Sequence, residues 1–292
     1  MPPSIDVIIP TFNRALRVKR LVEGIARQLK ENDKICVVWQ GAHKPDIQES
    51  ARIKLVYSSP ANLPKARNKG LASTVGSVVL FLDDDVEALD DGLLEAHRSV
   101  YREEDIGAIA GNIEDPLFDS RETLPSRYDE TTGELVQNFS VGKSQYTMSL
   151  MGANMSIRRK ALEQIKGFDE NFIKNALWED VDCAFRLRAA GWKIWYSADA
   201  RVRHARDSLG GCRAKNQRAY CFYQFSNIAY FAARHAPRMY FRTWFTYWKR
   251  RLEYISREIN GWPKHDPLMV LMGILGACAG IVRFVLCGKK LS

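Results

Sequence analysis

Val78-Val79-Leu80-Phe81-Leu82-Asp83-Asp84-Asp85-Val86 runs five apolar residues straight into three carboxylates. A short, uninterrupted run of branched and aromatic side chains reads as a strand buried on both faces, the pattern of a parallel sheet. Adjacent carboxylates repel one another unless a proton or a cation intervenes. A hard divalent ion, Mn²⁺ or Mg²⁺, relieves that repulsion by taking oxygen ligands from one or two carboxylates and filling its shell with substrate phosphates. Asp83 and Asp85 are the candidate metal ligands on this reading, and a solvated acidic turn or helix cap is the plainer alternative.

The segments on either side extend the pattern. Ile5 to Ile9 is a second apolar run, broken at Pro10, and 16–29 carries Leu16, Leu21, Val22, Ile25 and Leu29 near helical spacing. Strands are expected at 34–39 and 54–57, a helix at 66–72, a strand at 151–158, and a helix at 178–190 closed by Gly191. Residues 193–196 and 201–204 read as two extended pieces, and 115–143 as an irregular excursion over the site. Strands alternating with helices imply an α/β fold with a mainly parallel sheet and helices on both faces. Ligands of such sheets sit at the carboxyl ends of the strands, where Pro10, Thr11, Phe12, Asn13, Gln40 and Asp83 to Asp85 would gather.

Two further groups have matching chemistry. Trp178-Glu179-Asp180-Val181-Asp182 places carboxylates at a helix start, where acids are commonly no more than favourable dipole partners. Functionally, Glu179 or Asp180 would be a general base within reach of an acceptor hydroxyl, and spacing does not choose between them. His204, at the end of Arg201-Val202-Arg203-His204, is either a satisfied structural histidine or a third metal ligand of a kind Mn²⁺ accepts beside carboxylates. Lys65 and Arg67 are surface charges or contacts to a nucleotide and its diphosphate.

Taken in order, Val7-Ile8-Ile9-Pro10-Thr11-Phe12-Asn13-Arg14, Ala66-Arg67-Asn68-Lys69-Gly70, Phe81 to Asp85, Gly152-Ala153-Asn154-Met155-Ser156, Gly167-Phe168-Asp169-Glu170 and Trp178 to Asp182 resemble the family 2 glycosyltransferases of the GT-A fold. The likeness covers about residues 4 to 205. It implies a metal-dependent, inverting transfer of a sugar from a nucleotide-sugar donor, with UDP the leading nucleotide, to a hydroxyl of a glycan or lipid-linked glycan in cell-surface polysaccharide synthesis. It further implies that Pro10, Thr11, Asn13, Arg14, Gln40, Lys65, Arg67, Asp83, Asp84, Asn154 and Trp178 meet the donor, and that Asp83 and Asp85 occupy the DxD positions. Asp180 becomes the base with Glu179 beside it, and His204 a further ligand. One departure stands out: many members place an aspartate after the second strand to contact the base, whereas this chain has Gln40 there.

The last hundred residues change character. Up to position 200 there are 26 Lys and Arg against 30 Asp and Glu; beyond it there are 17 against 4. The expected division is a catalytic domain over 1–215, with a nucleotide-binding half to about 112 and an acceptor half beyond it, followed by a helical basic and aromatic region over 216–292. Arg238 to Arg251 interleaves aromatic and basic side chains in the manner of a helix lying among lipid headgroups. Residues 267–288 hold a single charge, Arg283, and suit a shallow insertion, a re-entrant turn, a cover for the catalytic domain, or a dimer contact through Gly276 and Gly280. The expectation is peripheral membrane contact through 238–288 at the inner face of the cytoplasmic membrane, with no nucleic acid partner and with oligomerisation open. Six scattered cysteines without a CxxC pair exclude a zinc ribbon and argue for reduced thiols, and the first residues lack a signal pattern. A nucleic-acid-binding protein would explain the tail but leave the acidic strand end without a purpose. An inactive GT-A-like binding module is the other rival.

Overall fold

The computed structural model describes residues 2–116, 118, 120, 123–129, 134–174, 176–205, 211, 217–235 and 267–287. The aromatic and basic stretch 238–251 lies outside them. Backbone contacts group the chain into two compact units.

The first unit is built on a nine-stranded mixed sheet in the order β3-β2-β1-β4-β10-β6-β11-β5, with β9 pairing β11. Its strands are β1 (Ile5–Thr11), β2 (Lys34–Trp39), β3 (Ile53–Tyr57), β4 (Val78–Leu82), β5 (Val86–Ala88), β6 (Ile106–Glu114), β9 (Gln145–Tyr146), β10 (Asn154–Arg158) and β11 (Lys193–His204). All seven residues of β1 and all five of β4 are buried, as an interior parallel strand requires. The first four strands in the order run parallel. Antiparallel members enter at β10, which pairs with both β4 and β6. The two extended pieces expected at 193–196 and 201–204 are one strand with an irregularity between Ser197 and Arg201.

Helices α1 (Ala15–Ala26), α2 (Leu63–Ala72), α3 (Leu93–Val100), α4 (Arg159–Gln164) and α5 (Glu179–Ala189) accompany the sheet. Val18, Leu21, Val22 and Ile25 form the buried stripe of α1, which ends three residues earlier than the apolar spacing suggests. The start of α2 follows from sequence: Asn62 accepts a hydrogen bond from the Lys65 N–H, and a proline occupies the first turn. Gly70 lets α2 approach β1, since a Cβ there would overlap Ile8. A buried Arg98–Asp33 pair at 2.6 Å ties α3 to the loop before β2, and Asp33 also accepts the Ile5 N–H.

The second unit gathers 170–179 with α6 (Gln217–His235) and α7 (Pro267–Cys287). Part of the excursion expected at 115–143 forms the short paired strands β7 (Arg127–Asp129) and β8 (Glu134–Val136). Gly276 and Gly280, one turn apart on α7, face α6: a Cβ at either would overlap the carbonyl oxygens of Phe222 and Ser226 respectively. These small residues serve helix packing inside the chain, because only a bare Cα admits a neighbouring backbone that close. A dimer contact is one of the uses the sequence suggests for them; within the chain they pack α7 against α6. Arg283 donates to the Asn171 carbonyl at 2.9 Å, to Asn227 Oδ1 at 3.0 Å and to Ser226 Oγ. Meanwhile Leu271, Ile274, Leu275, Val282, Val285 and Leu286 are exposed on α7.

Candidate active site

Strand β4 ends at Leu82 and delivers Asp83, Asp84 and Asp85 to the carboxyl edge of the sheet, beside the end of β1. Of the three carboxylates, Asp84 parts from Asp83 and Asp85. Asp84 turns inward and accepts from Thr11 Oγ1 at 2.7 Å and Arg14 Nη1 at 2.7 Å. Burial pushes its pKa up to about 6 against the pull of Arg14 and Thr11. Arg14 also reaches Asp85 at 3.1 Å, so one guanidinium binds the turn after β1 to the acidic strand end. Gly211 closes over this arginine: its φ is +72°, its N–H donates to the Phe12 carbonyl, and a Cβ would lie 3.0 Å from the guanidinium.

Asp83, Asp85 and His204 each present one ligand atom, and these atoms lie within 4.8 Å of one another. Asp83 keeps about a third of its side chain exposed while Asp85 is buried. His204 Nε2 is 3.3 Å from Asp85 Oδ1 and Nδ1 is 2.8 Å from Asp115 Oδ2. Burial opposes a charge on His204, but its hydrogen bonds to Asp115 and Asp85 outweigh that and raise its pKa to about 9. Two carboxylates and an imidazole form a donor set that fits Mn²⁺ and, through its oxygens, Mg²⁺.

Arg67 is almost wholly buried, with Nη2 3.2 Å from Asp83 Oδ1 and its guanidinium 5.4 Å from the centre of the Phe168 ring. Gly152 makes room for it, because any Cβ there would overlap Nη2. The Gly152 N–H donates to Asp180 Oδ2 at 3.0 Å, and the Val181 N–H to Asp180 Oδ1 at 2.8 Å. Burial raises the Asp180 pKa, countered by the Gly152 N–H and the positive charge of Arg67. Arg67 thus stands beside both the metal-side carboxylate and the candidate base.

The other expected residues are placed as follows. A cavity of about 350 Å³ at the ends of β1 and β2 is lined by Thr11, Asn13, Arg14, Trp39, His43 and Pro45 among others. Pro10 is the sixth residue of β1, paired with Val38 of β2. Gln40 is buried, and its Oε1 accepts the Asn62 N–H at 2.8 Å. Lys65 Nζ donates to the Ser59 carbonyl at 3.2 Å. Asn154 is fully buried and fully engaged: Nδ2 donates to the carbonyls of Asn112 and Ala200, and Oδ1 meets His97 Nε2 at 2.9 Å. In the second unit, Trp178 packs on Phe231 with ring centres 4.7 Å apart, and Glu179 is buried at the start of α5. Sequence reading missed Asp115, which follows β6 in no recognisable pattern, and His97, which sits on an ordinary helix. It also missed Trp39 and His43 as cavity walls.

The model of the family described as Glycosyl transferase family 2 matches residues 6–166. The O-antigen chain rhamnosyltransferase RfbN of Salmonella typhimurium is 25% identical over 221 residues, spanning 69% of this chain and 66% of that protein. The GalNAc(5)-diNAcBac-PP-undecaprenol beta-1,3-glucosyltransferase of Campylobacter jejuni is 27% identical over 193 residues, spanning 61% of this chain and 60% of its own length. The chain therefore spans less than two thirds of the length of these curated relatives. Among solved structures, the mannosyltransferase PcManGT of Pyrobaculum calidifontis, in complex with GDP-Man and Mn²⁺, superposes with a TM-score of 0.56 at 15% identity, over 99% of this chain and 76% of that one. At that identity the likeness is one of fold.

Proposed function

Because this chain belongs to glycosyl transferase family 2, an assignment that makes it a glycosyltransferase of GT-A fold, we propose that it moves a sugar from a nucleoside-diphosphate donor to a hydroxyl of a glycan or lipid-linked glycan, with inversion. The observation that carries this reading is the convergence of Asp83, Asp85 and His204 at the carboxyl edge of the sheet, on the same edge as a cavity large enough for a nucleoside. Thr11, Asn13, Arg14, Trp39 and His43 would receive the nucleoside, and the two aspartates with His204 would hold the divalent ion. When bound, that ion offsets the charge that builds on the departing diphosphate.

Asp180 takes the proton of the attacking hydroxyl, held in orientation by the Gly152 and Val181 N–H groups. Arg67 draws the Asp180 pKa down against the burial that raises it, and pairs with Asp83. With Asp180 as the base on the acceptor side, the transfer is one displacement without a covalent intermediate. UDP is the working nucleotide, and GDP, carried by the mannosyltransferase, is the first alternative. Gln40 gives its oxygen to the Asn62 N–H and keeps its amide nitrogen as a donor, so base recognition is shared between Gln40 and the walls of the cavity.

The acceptor reading draws on the O-antigen chain rhamnosyltransferase and on the glucosyltransferase whose name carries an undecaprenol-linked GalNAc glycan. It is supported by α7, whose segment Val270–Cys287 has a mean hydropathy of 2.3 and is long and apolar enough to cross a membrane. Its one charge, Arg283, is satisfied by α6 and Asn171, which leaves the exposed face uncharged. This suits contact with the inner face of the cytoplasmic membrane.

Thermal shift against a panel of nucleotides with Mn²⁺ tests the donor site. Ligand at about 100 times its Kd raises stability by about 2.7 kcal/mol. The Asp85→Asn variant is expected to lose the Mn²⁺-dependent part of that rise. A rise of equal size in the variant, or none in the wild type with any nucleotide, would remove the proposed function.

A further inference from the structure

We infer that Asp115 is a positioning residue that sets His204 as a metal ligand, an assignment that rests on the reading above that Asp83, Asp85 and His204 hold the divalent ion. The register of the sheet makes the pairing. Strand β11 runs parallel to β6 with Arg203 opposite Glu114, so the next residue of each chain, His204 and Asp115, come together at the strand ends. The Asp115 carboxylate is completely buried, 2.8 Å from His204 Nδ1, while Nε2 looks toward Asp85 Oδ1 at 3.3 Å.

A carboxylate oxygen has no hydrogen to give, so Nδ1 is the donor in this contact. The nitrogen left to offer a lone pair to a metal is Nε2, the one that lies toward Asp85. An imidazole held by a carboxylate in this way is fixed in tautomer and in ring angle, and is a better electron donor at its other nitrogen. Without Asp115 the ring can rotate about its side-chain bonds, or present the wrong nitrogen. A buried structural ion pair would need none of this directionality, and the two readings part on metal affinity.

The test titrates the full chain with Mn²⁺, reading free Mn²⁺ by electron paramagnetic resonance, with circular dichroism and melting temperature as checks of the fold. Removing a partner of this kind typically weakens metal binding about 10- to 100-fold, and that is the loss expected for Asp115→Ala. Asp115→Asn retains an oxygen that can accept from Nδ1 and is expected to recover part of the affinity, so it carries the test should the alanine variant fail to fold. Mn²⁺ binding as tight as wild type in both variants overturns the assignment. If wild type itself binds no Mn²⁺, and Asp85→Asn changes nothing, the metal site falls and this inference with it; a site lost in Asp85→Asn but untouched in the Asp115 variants sinks the inference alone.

Discussion

Acidification should weaken this fold through His97, by an amount that follows from its surroundings. Nδ1 lies 2.8 Å from Ser156 Oγ and Nε2 2.9 Å from Asn154 Oδ1. The Asn154 amide has no freedom to turn, since its Nδ2 donates to two carbonyls, so its oxygen must accept and Nε2 must carry the hydrogen. Nδ1 is then the acceptor, and the ring is neutral. Burial lowers the pKa from 6.5 to about 4, partly countered by the Asn154 hydrogen bond. The unfolded chain takes the proton below about pH 6.5, and the folded chain resists it until about pH 4. Stability is therefore intact above the first value and falls as the pH drops toward the second. By pH 4.5 the loss is about 2–3 kcal/mol, a large share of the ~5–15 kcal/mol that holds a typical domain together. Urea unfolding of wild type and His97→Gln from pH 7.5 to 4.5 isolates the effect, because the variant keeps a polar side chain but cannot titrate. Wild type should lose about 2–3 kcal/mol more than the variant over that range. Parallel curves would refute the reasoning.

Asp180→Asn should lower turnover by about 10²- to 10⁴-fold while leaving the donor-induced thermal shift in place; unchanged turnover removes it from the base role. In the wild type, turnover should fall on the acid side with a midpoint above the ordinary carboxylate value, because burial raises the Asp180 pKa, and Arg67→Met should move that midpoint higher by removing a charge that lowers it. A midpoint that stays put in the Arg67 variant contradicts the electrostatic role. Gly280→Leu puts a side chain into the Ser226 carbonyl and should cost about 1–3 kcal/mol or more, read as a drop in melting temperature. Leu271→Glu with Val285→Glu, both on the exposed face of α7, should abolish flotation with anionic liposomes without changing the circular dichroism; flotation equal to wild type would end the membrane reading.

The β1 and β4 strands were legible because both faces of each are buried, which turns the sequence into an unbroken apolar run. The acidic strand end was legible for the same reason: its charges follow that run without a transition. Less could be read where contacts join distant segments. Nothing local in Asn154 signals that it will be sealed between His97, Asn112 and Ala200, since its partners lie 42 to 57 positions away. Asp115 acquires meaning only from the pairing of β6 with β11, and an orientation of that kind has no periodicity. The irregularity in β11 was misread as a break because the polar, small residues around Ser197 to Ala200 look like a turn while still leading one strand onward. Gly276 and Gly280 announced a close approach but not which helix would make it.

Glycine at 152 and arginine at 67 occupy what amounts to a single volume, one side chain spread across two positions. Neither position can drift alone. In an alignment of relatives, anything bulkier at the first should coincide with a shortened residue at the second, and a library that randomises both should recover working clones only along that diagonal.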